Sequence, residues 1–144
     1  MVPPRISLVT LGAYDLPALR RFYEALGWPA AEGSDDSFTR FDLGGAFLAL
    51  YGAKDLAGEA NKPTPAPTDG FRGFTLCLNV ETAEMVDAAF EDARRAGARV
   101  LAEPVARDWG GRSAYFADPE GNAWEIAWVP GAKFDARGAL IWPP

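Results

Sequence analysis

Asp118-Pro119-Glu120-Gly121-Asn122-Ala123-Trp124-Glu125 is a tight turn that runs straight into a strand. Pro presets φ, Gly accepts a positive φ, and Asp and Asn side chains bond back to nearby backbone, so each residue favours the turn for its own reason. Beyond it the pattern alternates. Trp124, Ile126 and Trp128 fall on one side and Ala123, Glu125 and Ala127 on the other, the two-residue period of a strand over 123–128. One row is bulky enough to pack under helices. The other is small and partly polar, which suits the lining of a cavity.

The same alternation occurs upstream at 73–80, where Phe74, Leu76, Leu78 and Val80 form the apolar row and Thr75, Cys77 and Asn79 the other. Thr82 is placed to cap a helix through Met85, Val86, Ala89, Phe90 and Ala93, which Gly97 ends. Strands at 99–106 and 113–117 complete the half. The N-terminal half follows the same plan. A strand at 6–11 leads to Asp15 as N-cap, to Leu16, Leu19, Phe22, Tyr23 and Leu26 at helical spacing, and to Gly27 as stop. Strands at 38–43 and 47–51 follow, with room for a short one near Ala30. Leu8 and Thr75 lie 67 residues apart, as do the caps Asp15 and Thr82, so the pattern predicts a duplication.

The expected organisation is therefore one domain over 1–144, with a first module at 1–52 and a second at 71–130. Residues 53–70, dense in Gly and Pro, read as a linker loop with little regular structure. Residues 131–144 form a tail, read either as cover for a sheet edge or as a contact with a second subunit.

Composition narrows the function. A net charge of −6 without any basic cluster argues against a nucleic-acid partner. Cys77 is the single cysteine, so no internal disulfide forms, which fits a reducing compartment. No stretch approaches the roughly 18 apolar residues of a membrane span. The N-terminus lacks a signal-peptide core, so a cytoplasmic location is expected. The chain also has no histidine, which removes the commonest general base near neutral pH and the commonest N-donor to metals.

Several segments, in order, resemble the vicinal oxygen chelate superfamily of glyoxalases, bleomycin-resistance proteins and extradiol dioxygenases. They are Val9-Thr10-Leu11 leading to Asp15-Leu16, Phe22-Tyr23-Glu24-Ala25-Leu26-Gly27, Gly73-Phe74-Thr75-Leu76, Ala96-Gly97-Ala98, and Asp118-Pro119-Glu120-Gly121-Asn122 with Glu125. The resemblance implies an α+β fold of two βαβββ modules with mixed sheets curled around a ligand cavity. It also implies one metal ligand from each of four strands. Carried over, those positions fall on Leu8, Ala49, Thr75 and Glu125, of which only the last ligates well. The expectation is thus no metal and no cofactor.

Glu125 reads either as a cavity carboxylate that takes a proton or pairs with a cation, or as a structural acid tied to backbone or to Arg40. Arg40 reads as a cavity cation or a solvent-facing arginine. Arg112 follows Trp109-Gly110-Gly111, a turn that would bring an indole and a guanidinium to a cavity mouth, unless Trp109 merely packs. Tyr51 and Tyr115 are candidate ligand-contacting phenols. The leading expectation is a metal-independent protein, a homodimer, that sequesters an aromatic or cationic small molecule. The alternatives are a metal-free isomerase or lyase with Glu125 as base, and a metal enzyme with relocated ligands.

Overall fold

Asp15 caps the first helix. In a computed structural model describing residues 1–142, its Oδ1 accepts the Ala18 N–H at 3.0 Å, satisfying one of the donors a helix start leaves open. Helix α1 (Leu16–Ala25) turns Leu16, Leu19, Phe22 and Tyr23 inward, and the chain leaves it through Gly27 at φ 88°. Strands β1 (Leu8–Ala13), β2 (Phe38–Asp42) and β3 (Phe47–Gly52) make a mixed sheet in the order β1-β3-β2. The row Val9–Leu48–Phe41 lies on the helix side, where Phe41 meets the Tyr23 ring at 5.7 Å. The opposite face carries Thr10–Ala49–Arg40 and Gly12–Tyr51–Phe38. The short strand expected near Ala30 reduces to a single bridge to Phe41.

The stretch read as a linker at 53–70 opens with a helix instead, α2 (Ala53–Glu59). Ala53 and Ala57, one turn apart, are buried. Gly12 permits this, since a side chain there would press on the Ala53 Cα at 3.1 Å. The remainder, 60–75, proline-rich from Pro63 on, lacks helix and strand. The chain divides into two compact units, Met1–Pro67 and a second that begins at Thr68.

The second unit repeats the first with one more strand. Strands β4 (Leu76–Asn79), β5 (Arg99–Ala106), β6 (Arg112–Ala117) and β7 (Ala123–Trp128) form a mixed sheet in the order β4-β7-β6-β5. Helix α3 (Ala83–Arg95) is capped by Thr82, whose Oγ1 accepts the Met85 N–H at 3.3 Å. Its Val86, Phe90 and Ala93 are buried over a sheet face on which Phe116 and Trp124 stack at 6.3 Å. The strand expected at 73–80 is shorter than its alternation suggested. Gly73 still turns the chain at φ 83°, and Phe74, assigned to the packed row, is 45% exposed.

The opening turn is self-contained. Buried Asp118 accepts from the Glu120 and Asn122 N–H groups at 3.0 and 2.9 Å and from Asn122 Nδ2 at 2.7 Å. Arg72 closes it, donating to Asn122 Oδ1 and the Glu120 carbonyl. Its role is to launch β7 in register. The tail forms a small hairpin of β8 (Lys133–Phe134) and β9 (Leu140–Ile141). No helix among the described residues is long and apolar enough to cross a membrane.

Candidate functional site

Glu125 occupies the middle of β7, which lies between β4 and β6, so strand pairing decides its neighbours. Cys77 is its partner on β4 and Tyr115 its partner on β6. Paired residues share a face, so thiol, carboxylate and phenol form one row across the sheet. That row looks away from α3, because Trp124 and Ile126, which alternate with Glu125, are the buried ones.

A hollow of about 570 Å³ opens over this face, lined by Cys77, Asn79, Glu125, Ala127, Trp109 and Trp142 among others. Trp109 arrives on the β5–β6 hairpin, closed by Arg107 N–H to the Gly111 carbonyl at 2.9 Å, with Gly110 at φ 92°. A Cβ on Gly111 would collide with the Trp109 indole and the Trp128 carbonyl. The indole can yield, but the β7 backbone cannot. Gly111→Ala is therefore expected to lower stability by about 1–3 kcal/mol, as overpacking does, and to displace Trp109. Chemical denaturation with the emission of Trp109 checks both.

The electrostatics of the row are one-sided. Burial pushes the Cys77 thiol up to about 12, with the Glu125 carboxylate as the second cause. The residue keeps exposed surface because it lines an open hollow, and its sulfur lies 3.8 Å from Asn79 Oδ1. Desolvation also raises the Tyr115 phenol, and its hydrogen bond to Glu125 adds to this, while Arg107 pulls the other way. Among the described residues, no Lys or Arg lines the hollow.

The other residues singled out from sequence are placed as follows. Arg112 is turned to the α3 side, where its Nε and Nη2 donate to both Asp87 oxygens at 2.7 Å. The pair holds Asp87 below the usual carboxylate range and raises Arg112. Thr75 is exposed just ahead of β4. In the first unit, Arg40 Nη2 donates to the Glu32 carbonyl at 3.1 Å. Tyr51 donates to Glu59 Oε1 at 3.2 Å, and that carboxylate raises its phenol. Ala49 is buried and Leu8 is 42% exposed, both on the face away from α1.

Cys77 and Asn79 lie on the small, partly polar row expected to line a cavity, but neither stands out in the sequence as a site residue, and nothing in the sequence ties Val129 or Trp142 to Glu125. Among the described residues, no three His, Cys, Asp or Glu side chains group closely enough to hold a metal ion.

A family model described as the Glyoxalase/Bleomycin resistance protein/Dioxygenase superfamily matches residues 5–126. Among solved structures, the chain is similar to a glyoxalase-related enzyme from Fulvimarina pelagi at 29% identity and a TM-score of 0.86, over 99% of this chain and 100% of that one. It is also similar to a glyoxalase/bleomycin resistance protein/dioxygenase from Nocardioides, at 27% identity and a TM-score of 0.76, over 92% and 89% of the two chains. A family enzyme from Burkholderia phytofirmans PsJN shares 26% identity at a TM-score of 0.72, over 87% of this chain and 98% of that one. No curated protein matches the chain.

Proposed function

Because this chain belongs to the glyoxalase/bleomycin resistance protein/dioxygenase superfamily, we propose that the hollow over β7 binds a small organic cation with a flat or quaternary face. One observation carries this reading: among the described residues, Glu125 is the only charged side chain lining the hollow, and it stands there with the indoles of Trp109 and Trp142. Indole faces attract cations through their quadrupole, and a carboxylate beside them adds charge without blocking the ring. The volume is that of an ordinary ligand pocket.

The donor set bears on metals too. A catalytic divalent ion takes three or more protein ligands, and a cysteine joins only as thiolate. Here one carboxylate stands beside an amide and a thiol whose proton is held to about 12. These donors do not fit such an ion, and the reading is metal-independent binding. A second reading rests on the cross-strand pairing of Tyr115 with Glu125, whose carboxylate acts on the phenol. A carboxylate paired with a phenol is a base next to a donor for a developing oxyanion, the equipment of a metal-free isomerase or lyase.

Titration calorimetry with three probes tests the binding reading. Benzyltrimethylammonium should bind more tightly than benzyl alcohol, by about 2 kcal/mol or roughly thirtyfold, and benzenesulfonate most weakly. Equal affinities, or preference for the sulfonate, would refute it.

A further inference from the structure

Beside the hollow, on the same sheet face but outside its lining, lies a second group of side chains. Arg107 leaves β5 at the start of the hairpin and donates its Nε–H to Ser113 Oγ at 2.8 Å. Ser113 is 1% exposed on β6, two residues before Tyr115, and so on the same face. This bond fixes the guanidinium with its Cζ 5.7 Å from the centre of the Tyr115 ring. Tyr115 in turn stands opposite Glu125 in the pairing of β6 with β7, and the carboxylate acts on its phenol. A chain of contacts thus runs from a buried hydroxyl, through a cation lying on a ring, to the carboxylate in the hollow.

We propose that Arg107 is a positioning residue which, anchored by Ser113, clamps the Tyr115 ring and so fixes the direction in which Glu125 presents its charge to the ligand. The proposal rests on the reading of the hollow as a cation site. Without the clamp the ring keeps its strand position but gains rotamer freedom, and the phenol no longer stands in one place beside the carboxylate. The clamp is also cationic, which sets two effects against each other. As a bare charge, Arg107 repels a cationic ligand, so removing it should strengthen binding. As a clamp, its removal should weaken binding. The two roles have opposite signs.

The test uses the full chain with Arg107→Met and Arg107→Lys, benzyltrimethylammonium as probe, and NMR titration of the ring-labelled tyrosines. The proposal expects both variants to lose about three- to tenfold in probe affinity, the scale of one hydrogen bond. Lys keeps the charge but not the planar fork that bonds Ser113 while lying on a ring. In Arg107→Met the Tyr115 phenol should also ionise at higher pH, since the cation that lowers it is gone. Tighter probe binding in the Met variant, or unchanged binding in the Lys variant, overturns the proposal. If the wild type fails to bind the probe at all, the cation-site reading falls, and the clamp is judged by the titration alone. A Tyr115 phenol that titrates identically in wild type and both variants overturns it.

Discussion

Glu125→Gln is expected to lower benzyltrimethylammonium affinity by about 2 kcal/mol, roughly thirtyfold, while leaving the melting temperature in place. At 4 Å and an effective dielectric near 20, a unit charge pair gains about 4 kcal/mol, and desolvation of carboxylate and ligand offsets part of it. Glutamine keeps the shape and an acceptor for the Tyr115 hydroxyl, so the sheet has no reason to rearrange. The same variant carries an internal reporter. Cys77 is the only cysteine in the chain, and its thiol is raised to about 12 from an ordinary value of 9.0. Only thiolate reacts with an alkylating agent, so at pH 8 the wild type should label about a thousandfold more slowly than a free thiol. The Glu125 carboxylate disfavours the thiolate, so removing its charge must lower the thiol pKa and speed labelling. Burial is the larger cause and persists, so the rate should stay far below that of a free thiol. Unchanged affinity together with unchanged labelling would remove Glu125 from the site.

How much of this was legible in the sequence follows the range of each interaction. The helix caps were, because a cap is decided within four residues: Asp15 and Thr82 bond to Ala18 and Met85, and Gly27 and Gly97 turn the chain at φ 88° and 99°. The face of Glu125 was legible too, since strand parity is local. Its neighbours were not. That Cys77 and Tyr115 flank it follows from the order β4-β7-β6, in which β4 pairs with β7 from about fifty residues away and β6 from about ten. Helix α2 was hidden because the prolines from Pro63 onward coloured the reading of Ala53-Lys54-Asp55-Leu56-Ala57 before them. Arg112 shows a signal present but not used. The parity that put Ser113 and Tyr115 on the open face puts Arg112 on the other, beside Asp87 of α3. Trp142 had no signal at all, since a two-strand hairpin folds the tail.

The opposite face of β6 and β7 yields the complementary result. Phe90→Ala is expected to destabilise the protein by about 3–5 kcal/mol, the range for a fully buried phenylalanine. Phe90 is 0% exposed in α3, and the sheet face under that helix is built of Ala114, Phe116, Trp124 and Ile126, all buried. Phe116 and Trp124 are buried and stacked on each other and so refill little of the space, and the cavity term adds to the lost transfer energy. A loss of this size should lower the melting temperature by about 10 °C, readable by calorimetry. Yet Glu125 lies on the far side of the same strands, so the fraction still folded at low temperature should bind benzyltrimethylammonium within about twofold of wild type. Phe90→Ala thus loses stability and keeps affinity, where Glu125→Gln loses affinity and keeps stability. A Phe90→Ala protein that melted within a degree of wild type would mean α3 is not seated as described. One that melted early and also lost the probe would mean that the two faces of the sheet are coupled. The alternation along β7, bulky toward the helix and small toward the hollow, requires that they act separately.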